Sequence, residues 1–136
     1  MLQAMNTGHD GSLTTLHANS PQDVMARLDS LVLMSNVDLP VRAVREQIAS
    51  AIHLIVHTAR LSDGSRKVTH ITEVMSLDVN ADVKLGDIFV FHQRGLGPQG
   101  EVLGAFVPTG SVPSFLEELR TKGFELKDEM FHPSVV

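Results

Sequence analysis

The sequence predicts an α/β domain whose mixed sheet is antiparallel where hairpins lie and is flanked by helices. Three observations carry that reading. Between residues 20 and 52, apolar residues recur twice at helical spacing. From Leu54 to Val107, β-rich runs alternate with turn clusters such as Ser62-Asp63-Gly64-Ser65. A last apolar period at Phe115, Leu116 and Leu119 marks a short closing helix. Helices and hairpins in that order favour a layered α/β domain.

Met1 to Asn6 reads as the last turns of a helix stopped by Gly8, which implies further chain upstream. Leu13 to Ala18 is a strand candidate. Ser20 then supplies an N-cap, Pro21 the first helical position, and Asp23 a favourable charge for the dipole. Val24, Leu28, Leu31 and Val32 form that helix's apolar face. Asn36-Val37-Asp38-Leu39-Pro40 breaks it, and Asp38 is the expected cap of the next helix. Val41, Val44, Ile48, Ala51 and Ile52 continue the stripe there, with Arg42, Arg45, Glu46 and Gln47 off it.

Leu54-Ile55-Val56 reads as a buried strand. Asp63-Gly64 readily supplies the positive φ of a hairpin turn, so Lys67 to Leu77 is its returning strand. Asn80-Ala81-Asp82 makes another turn before Ile88-Phe89-Val90-Phe91. Gly95 to Gly100 is expected to be a loop, Val102 to Val107 a last strand, and Gly123 the end of the closing helix. The tail beyond Phe124 is expected to dock loosely. The 136 residues read as one domain, with 1–94 and 95–136 as its two portions.

Composition bounds the partners. A 43% apolar fraction fits a globular chain, and no apolar run approaches the ~20 residues that span a bilayer. The opening residues lack the basic and apolar regions of a signal peptide. With no cysteine, disulfides and thiolate metal sites are excluded, and a cytoplasmic location is the simplest expectation. A net charge of −5, without Trp or Tyr, argues against nucleic acid as the main partner.

The run from Met5 to Pro21 concentrates the chemistry. It packs His9 and His17, Gly8 and Gly11, and Thr7, Ser12, Thr14 and Thr15 ahead of the capped helix. A glycine-flanked loop beside a strand offers N–H groups, hydroxyls and imidazoles to phosphate oxygens. An imidazole can donate to a γ-phosphate and respond to its loss. On a strand, Thr14 and Thr15 would face opposite ways, one toward a ligand and one into the fold. A capped turn whose histidines satisfy only local hydrogen bonds is the plainer alternative.

Thr7-Gly8-His9-Asp10-Gly11-Ser12, with Leu16-His17-Ala18-Asn19-Ser20-Pro21, resembles the histidine box of the CpaF-like type II/type IV secretion and pilus-assembly traffic ATPases. Further blocks are similar in the same order: Gln47 to Ile52, Leu54 to His57, Arg60, Asp63 to Val68, Ile71 to Val74 and Asp87 to Phe91. A weaker echo follows at Pro108-Thr109-Gly110 and Phe115-Leu116. The resemblance implies the C-terminal part of a RecA-like P-loop NTPase core, working as a hexamer with ATP and Mg²⁺. Its partners would be platform proteins of the inner membrane, met from the cytoplasmic side. On this likeness His17 is the member nearest the γ-phosphate, and His9 shapes the loop. Thr7, Gly8, Gly11, Thr14, Thr15 and Arg60 complete the nucleotide side, with Arg66 as a further charge at a phosphate or subunit boundary.

The pattern departs from the family at one point. No Gly-x-x-x-x-Gly-Lys-Ser/Thr occurs, and no apolar strand ends in an acidic pair for Mg²⁺. In the family both elements precede the histidine box. The 136 residues are therefore expected to bind no cofactor and to hydrolyse no ATP alone.

Rival chemistry is thin. His53 and His57 have the spacing of two helical metal ligands, but they lie in a β-branched run without the zincin glutamate, so no metal is expected. Ser12 and Ser35 sit in no nucleophile elbow. Gly95 to Gly100 lacks the lysine and following helix of a phosphate loop. The competing function is a non-catalytic interaction module that self-associates through an exposed sheet edge.

Overall fold

A computed structural model describes residues 11–35 and 38–133. The expected helix tail at Met1 to Asn6, its Gly8 stop, and the residues Thr7 and His9 lie outside the described residues. The chain divides into two compact units, residues 1–55 with 74–85, and residues 56–73 with 86–136.

The first unit holds two helices, α1 (Pro21–Met34) and α2 (Val41–Ala51). Helix α1 starts as its sequence dictates. Ser20 Oγ accepts the Asp23 N–H at 3.0 Å, while Asp23 reaches back to accept the Asn19 N–H at 2.9 Å. One orphan donor of the first turn and the N–H preceding the cap are thereby satisfied, in a variant of the capping box. Asp38 does not cap α2: Pro40 is the N-cap residue and makes no side-chain bond. The Pro40 ring disfavours helical backbone at Leu39, and Pro40 itself is extended at ψ 146°, so the helix begins at Val41. Val44, Ile48 and Ala51 of α2 are buried. Arg45, off that apolar stripe, acts as a clamp. Its guanidinium donates to Asp29 of α1 and to Ala81 C=O and Asp82 of a later turn, each at 3.0 Å.

Four strands, β1 (Leu54–Arg60), β2 (Arg66–Leu77), β3 (Val83–Leu96) and β4 (Val102–Pro108), form one sheet in the order β1-β2-β3-β4. Sequence neighbours joined by such short turns pair antiparallel, as expected of the hairpins. Leu61 N–H donates to Ser65 C=O at 2.8 Å across the first turn, where Gly64 adopts φ +84°, the conformation that Asp-Gly supplies. β1 is not wholly buried. Ile55 and His57 face inward while Leu54 and Val56 are exposed, as an edge strand covered on one face requires.

Two further expectations change. Leu13 to Ala18 is irregular backbone rather than strand, and Leu13 is 99% exposed. Its residues suit a pleat, yet a strand needs a ladder partner and none forms among the described residues. The Gly95–Gly100 loop also shrinks. A bulge between Gln93 and Gly95 lets β3 run on to Leu96, with Gly95 opposite Leu103 and Leu96 opposite Val102.

Helix α3 (Leu116–Thr121) ends at Gly123, beyond which Phe124 N–H returns to Leu119 C=O at 3.1 Å. The tail docks firmly. A 3₁₀ turn at Asp128–Phe131 drives Phe131, 4% exposed, into a cluster with Ile88 and Leu116.

Candidate functional site

Residues 11–20 approach α1 as irregular chain, with Gly11 at φ +84°. Thr14, Thr15 and His17 are all exposed on it. The threonines therefore share no strand that would separate their faces, and both hydroxyls meet solvent. His17 stands three residues before the Ser20 cap. The Asp23 carboxyl beyond it lies below its usual range, chiefly through the Asn19 N–H, then through Arg27 at 3.1 Å.

That detail decides where an anion could sit. Helix N-termini attract phosphate when their N–H groups are free. Here Ser20 and the ionised Asp23 already occupy the first turn of α1, and a second negative charge would be repelled. The hydroxyls and imidazole of residues 12–17 are the remaining donors. No Gly-x-x-x-x-Gly-Lys-Ser/Thr phosphate cradle accompanies them in the sequence. No group of three His, Cys, Asp or Glu side chains suited to a cation occurs among the described residues.

Arg60 belongs to the second unit, at the end of β1, whereas His17 belongs to the first. The Arg60 guanidinium lies over the turn, 3.8 Å from where a Cβ on Gly64 would stand. His53 precedes β1 and His57 lies within it, so extended backbone sets them ~13 Å apart rather than one helical turn. His57 Nδ1 instead meets Thr69 Oγ1 at 2.9 Å.

Sequence reasoning missed a set of polar pins in the second unit. Thr72, fully buried, donates to Asp87 Oδ1 at 2.7 Å. Glu73, also buried, accepts both the N–H and the hydroxyl of Ser114 just ahead of α3. Asp63 takes hydrogen bonds from Ser65 Oγ, Val102 N–H and Ser65 N–H, which hold its carboxyl down to about 2. These residues fall within the blocks Asp63 to Val68, Ile71 to Val74 and Asp87 to Phe91. Their partners lie 15 to 41 residues away, apart from Ser65. In the second unit these bonds tie distant stretches of the chain together.

A family model described as "Type II/IV secretion system protein" matches residues 1–92. A "Putative conjugal transfer protein" of Mycobacterium tuberculosis (strain CDC 1551 / Oshkosh) is 32% identical over 104 residues, covering 76% of this chain and 28% of its own length. The conjugal transfer protein TrbB of Rhizobium radiobacter is 37% identical over 73 residues, which cover 52% of this chain and 21% of its own length. The chain thus spans about a quarter of each curated relative it matches. Among the described residues no helix is long and apolar enough to cross a membrane. Matched over more than half its length, the chain belongs to the type II/IV secretion system protein family.

Proposed function

We propose that the chain is the C-terminal part of the RecA-like core in a CpaF-like traffic ATPase. The parent motor couples ATP hydrolysis to pilus assembly or protein export, as a hexamer at the cytoplasmic face of the inner membrane, held there by platform proteins. The observation that carries this reading is the match over residues 1–92, which includes the hydroxyl- and histidine-rich run presented openly before α1. Thr7, Gly8, Gly11, Thr14 and Thr15 line the phosphate side, His17 contacts the terminal phosphate, and His9 shapes the loop. ATP supplies the scissile phosphoanhydride and Mg²⁺ its charge neutralisation. Both are held by a cradle on other chain, so these 136 residues sense nucleotide without hydrolysing it. The conjugal transfer relatives favour movement of material across an envelope as the parent's task.

The test is a chimera in which these residues replace the matching segment of the TrbB relative. Hydrolysis should persist, and His17→Ala should lower kcat on the order of a hundredfold, the usual weight of one positioned transition-state donor. Unchanged turnover in that variant would remove His17 from the site. Hydrolysis of MgATP by the 136 residues alone would overturn the placement of the cradle.

A further inference from the structure

Two turns meet at one end of the sheet. The β1–β2 turn is tied to the start of β4 by the Val102 N–H, which donates to Asp63 Oδ2 at 2.8 Å. The Leu61–Ser65 bond sets the β1–β2 pairing, and the His57–Thr69 contact four residues on continues it. That pairing places Arg60 directly across from Arg66. Like charges so placed repel one another. Neither arginine has an ion pair or hydrogen bond among the described residues. The carboxylates of the two turns are engaged within them, Asp63 by Ser65 and Val102 and Glu101 by the Gln99 N–H at 2.9 Å.

A third arginine joins them. Arg94 is the residue inserted at the β3 bulge, and β3 ends beside the start of β2. Across three neighbouring strands the row spans ~10 Å. Beside it, on the β3–β4 hairpin, Leu96 and Leu103 are 60% and 47% exposed. Arg94 likewise has no ion pair or hydrogen bond among the described residues, so a molecule of net charge −5 carries three such arginines and two exposed leucines at one sheet end.

We propose that this end of the sheet docks on an anionic bilayer, with Arg60, Arg66 and Arg94 against headgroup phosphates and Leu96 and Leu103 at the acyl boundary. A single compact phosphate would need guanidinium groups that converge on it. Arginines spaced by strand separation match several headgroups in a plane. A nucleic acid would supply phosphates but no apolar phase for the leucines, and the chain has no Trp or Tyr to stack on bases. The remaining negative charge repels the same surface, so only this end faces it. The contact is independent of the nucleotide reading and adds a direct lipid attachment to that through platform proteins.

Flotation of the 136-residue chain with vesicles tests it. Phosphatidylcholine containing phosphatidylglycerol should capture the chain and phosphatidylcholine alone should not, with capture fading as salt rises. Combined Arg60→Gln, Arg66→Gln and Arg94→Gln should weaken capture on the order of a hundredfold, whereas lysine at all three positions should retain it. Leu96→Ser with Leu103→Ser should weaken it while leaving its salt dependence. Lys84→Gln, an exposed cation of the first unit, should change nothing. The proposal fails if phosphatidylglycerol vesicles capture nothing, or if the three glutamines leave capture intact. It also fails if Lys84→Gln is equally damaging. Arginine-dependent binding of duplex DNA or tripolyphosphate without vesicle capture would overturn it in favour of a soluble anion.

Discussion

Asp63 shows how one side chain can carry a turn. The sequence reveals it as half of an Asp-Gly hairpin signal, a local property of the backbone. It does not reveal that the same carboxylate accepts the Val102 N–H from 39 residues away. Three donors hold its folded pKa at about 2, below the ~3.9 of an unfolded aspartate. The folded state therefore binds fewer protons than the unfolded chain through this window. Asp63's contribution to stability is present above pH ~4 and is lost as pH falls toward about 2. Urea midpoints measured across that range should fall with acid, and Asp63→Asn should flatten that part of the profile. An unchanged slope in Asp63→Asn would mean that other carboxylates carry the acid loss. Thr72 and Glu73 repeat the lesson, since their partners Asp87 and Ser114 lie 15 and 41 residues away.

At the level of elements, whatever local chemistry dictates was legible. Ser20-Pro21-x-Asp23 starts α1, and the hairpin turn falls at Gly64. Distant partners decided the rest. Arg45 looks like a solvated residue until its carboxylates arrive from α1 and from the turn at Asp82. Leu13 to Ala18 has strand composition, but pairing cannot be read from composition. The length of β3 turned on a bulge, which a single residue creates without any local signature. Its pairing with β4 makes a sharp demand nearby. A Cβ on Gly104 would lie 2.4 Å from His92 C=O and 2.7 Å from the Phe91 ring. Backbone cannot yield as a side chain can, so Gly104→Ala should destabilise by about 3 kcal/mol. At Gly97 the added Cβ meets only the flexible Glu101 side chain, so Gly97→Ala should cost far less. Thermal melts of the two variants should separate clearly. Equal melts would show that β4 shifts freely along β3.

For the molecule as a whole, the candidate site was legible as chemistry and not as geometry. The histidines and hydroxyls stand out by type, yet only coordinates show Thr14, Thr15 and His17 exposed and the α1 terminus already capped. The docking of the tail was hidden for a different reason. One aromatic in a polar stretch gives no periodicity, and Phe131 acts through contacts with Ile88, Leu116 and the Phe89 ring, 5.9 Å away. Replacing a buried phenylalanine with alanine costs about 3–5 kcal/mol, a large share of the 5–15 kcal/mol typical of a domain. Compact units can open separately, each with its own free energy. Phe131→Ala should therefore strip hydrogen-exchange protection from the second unit's Leu119 and Lys122 amides, which bond back along α3. The Ile52 amide at the end of α2, bonded to Ile48 C=O in the first unit, should keep its protection. If Ile52 loses protection in step with Leu119, the two units unfold as one, and Phe131 secures the whole chain rather than its own half.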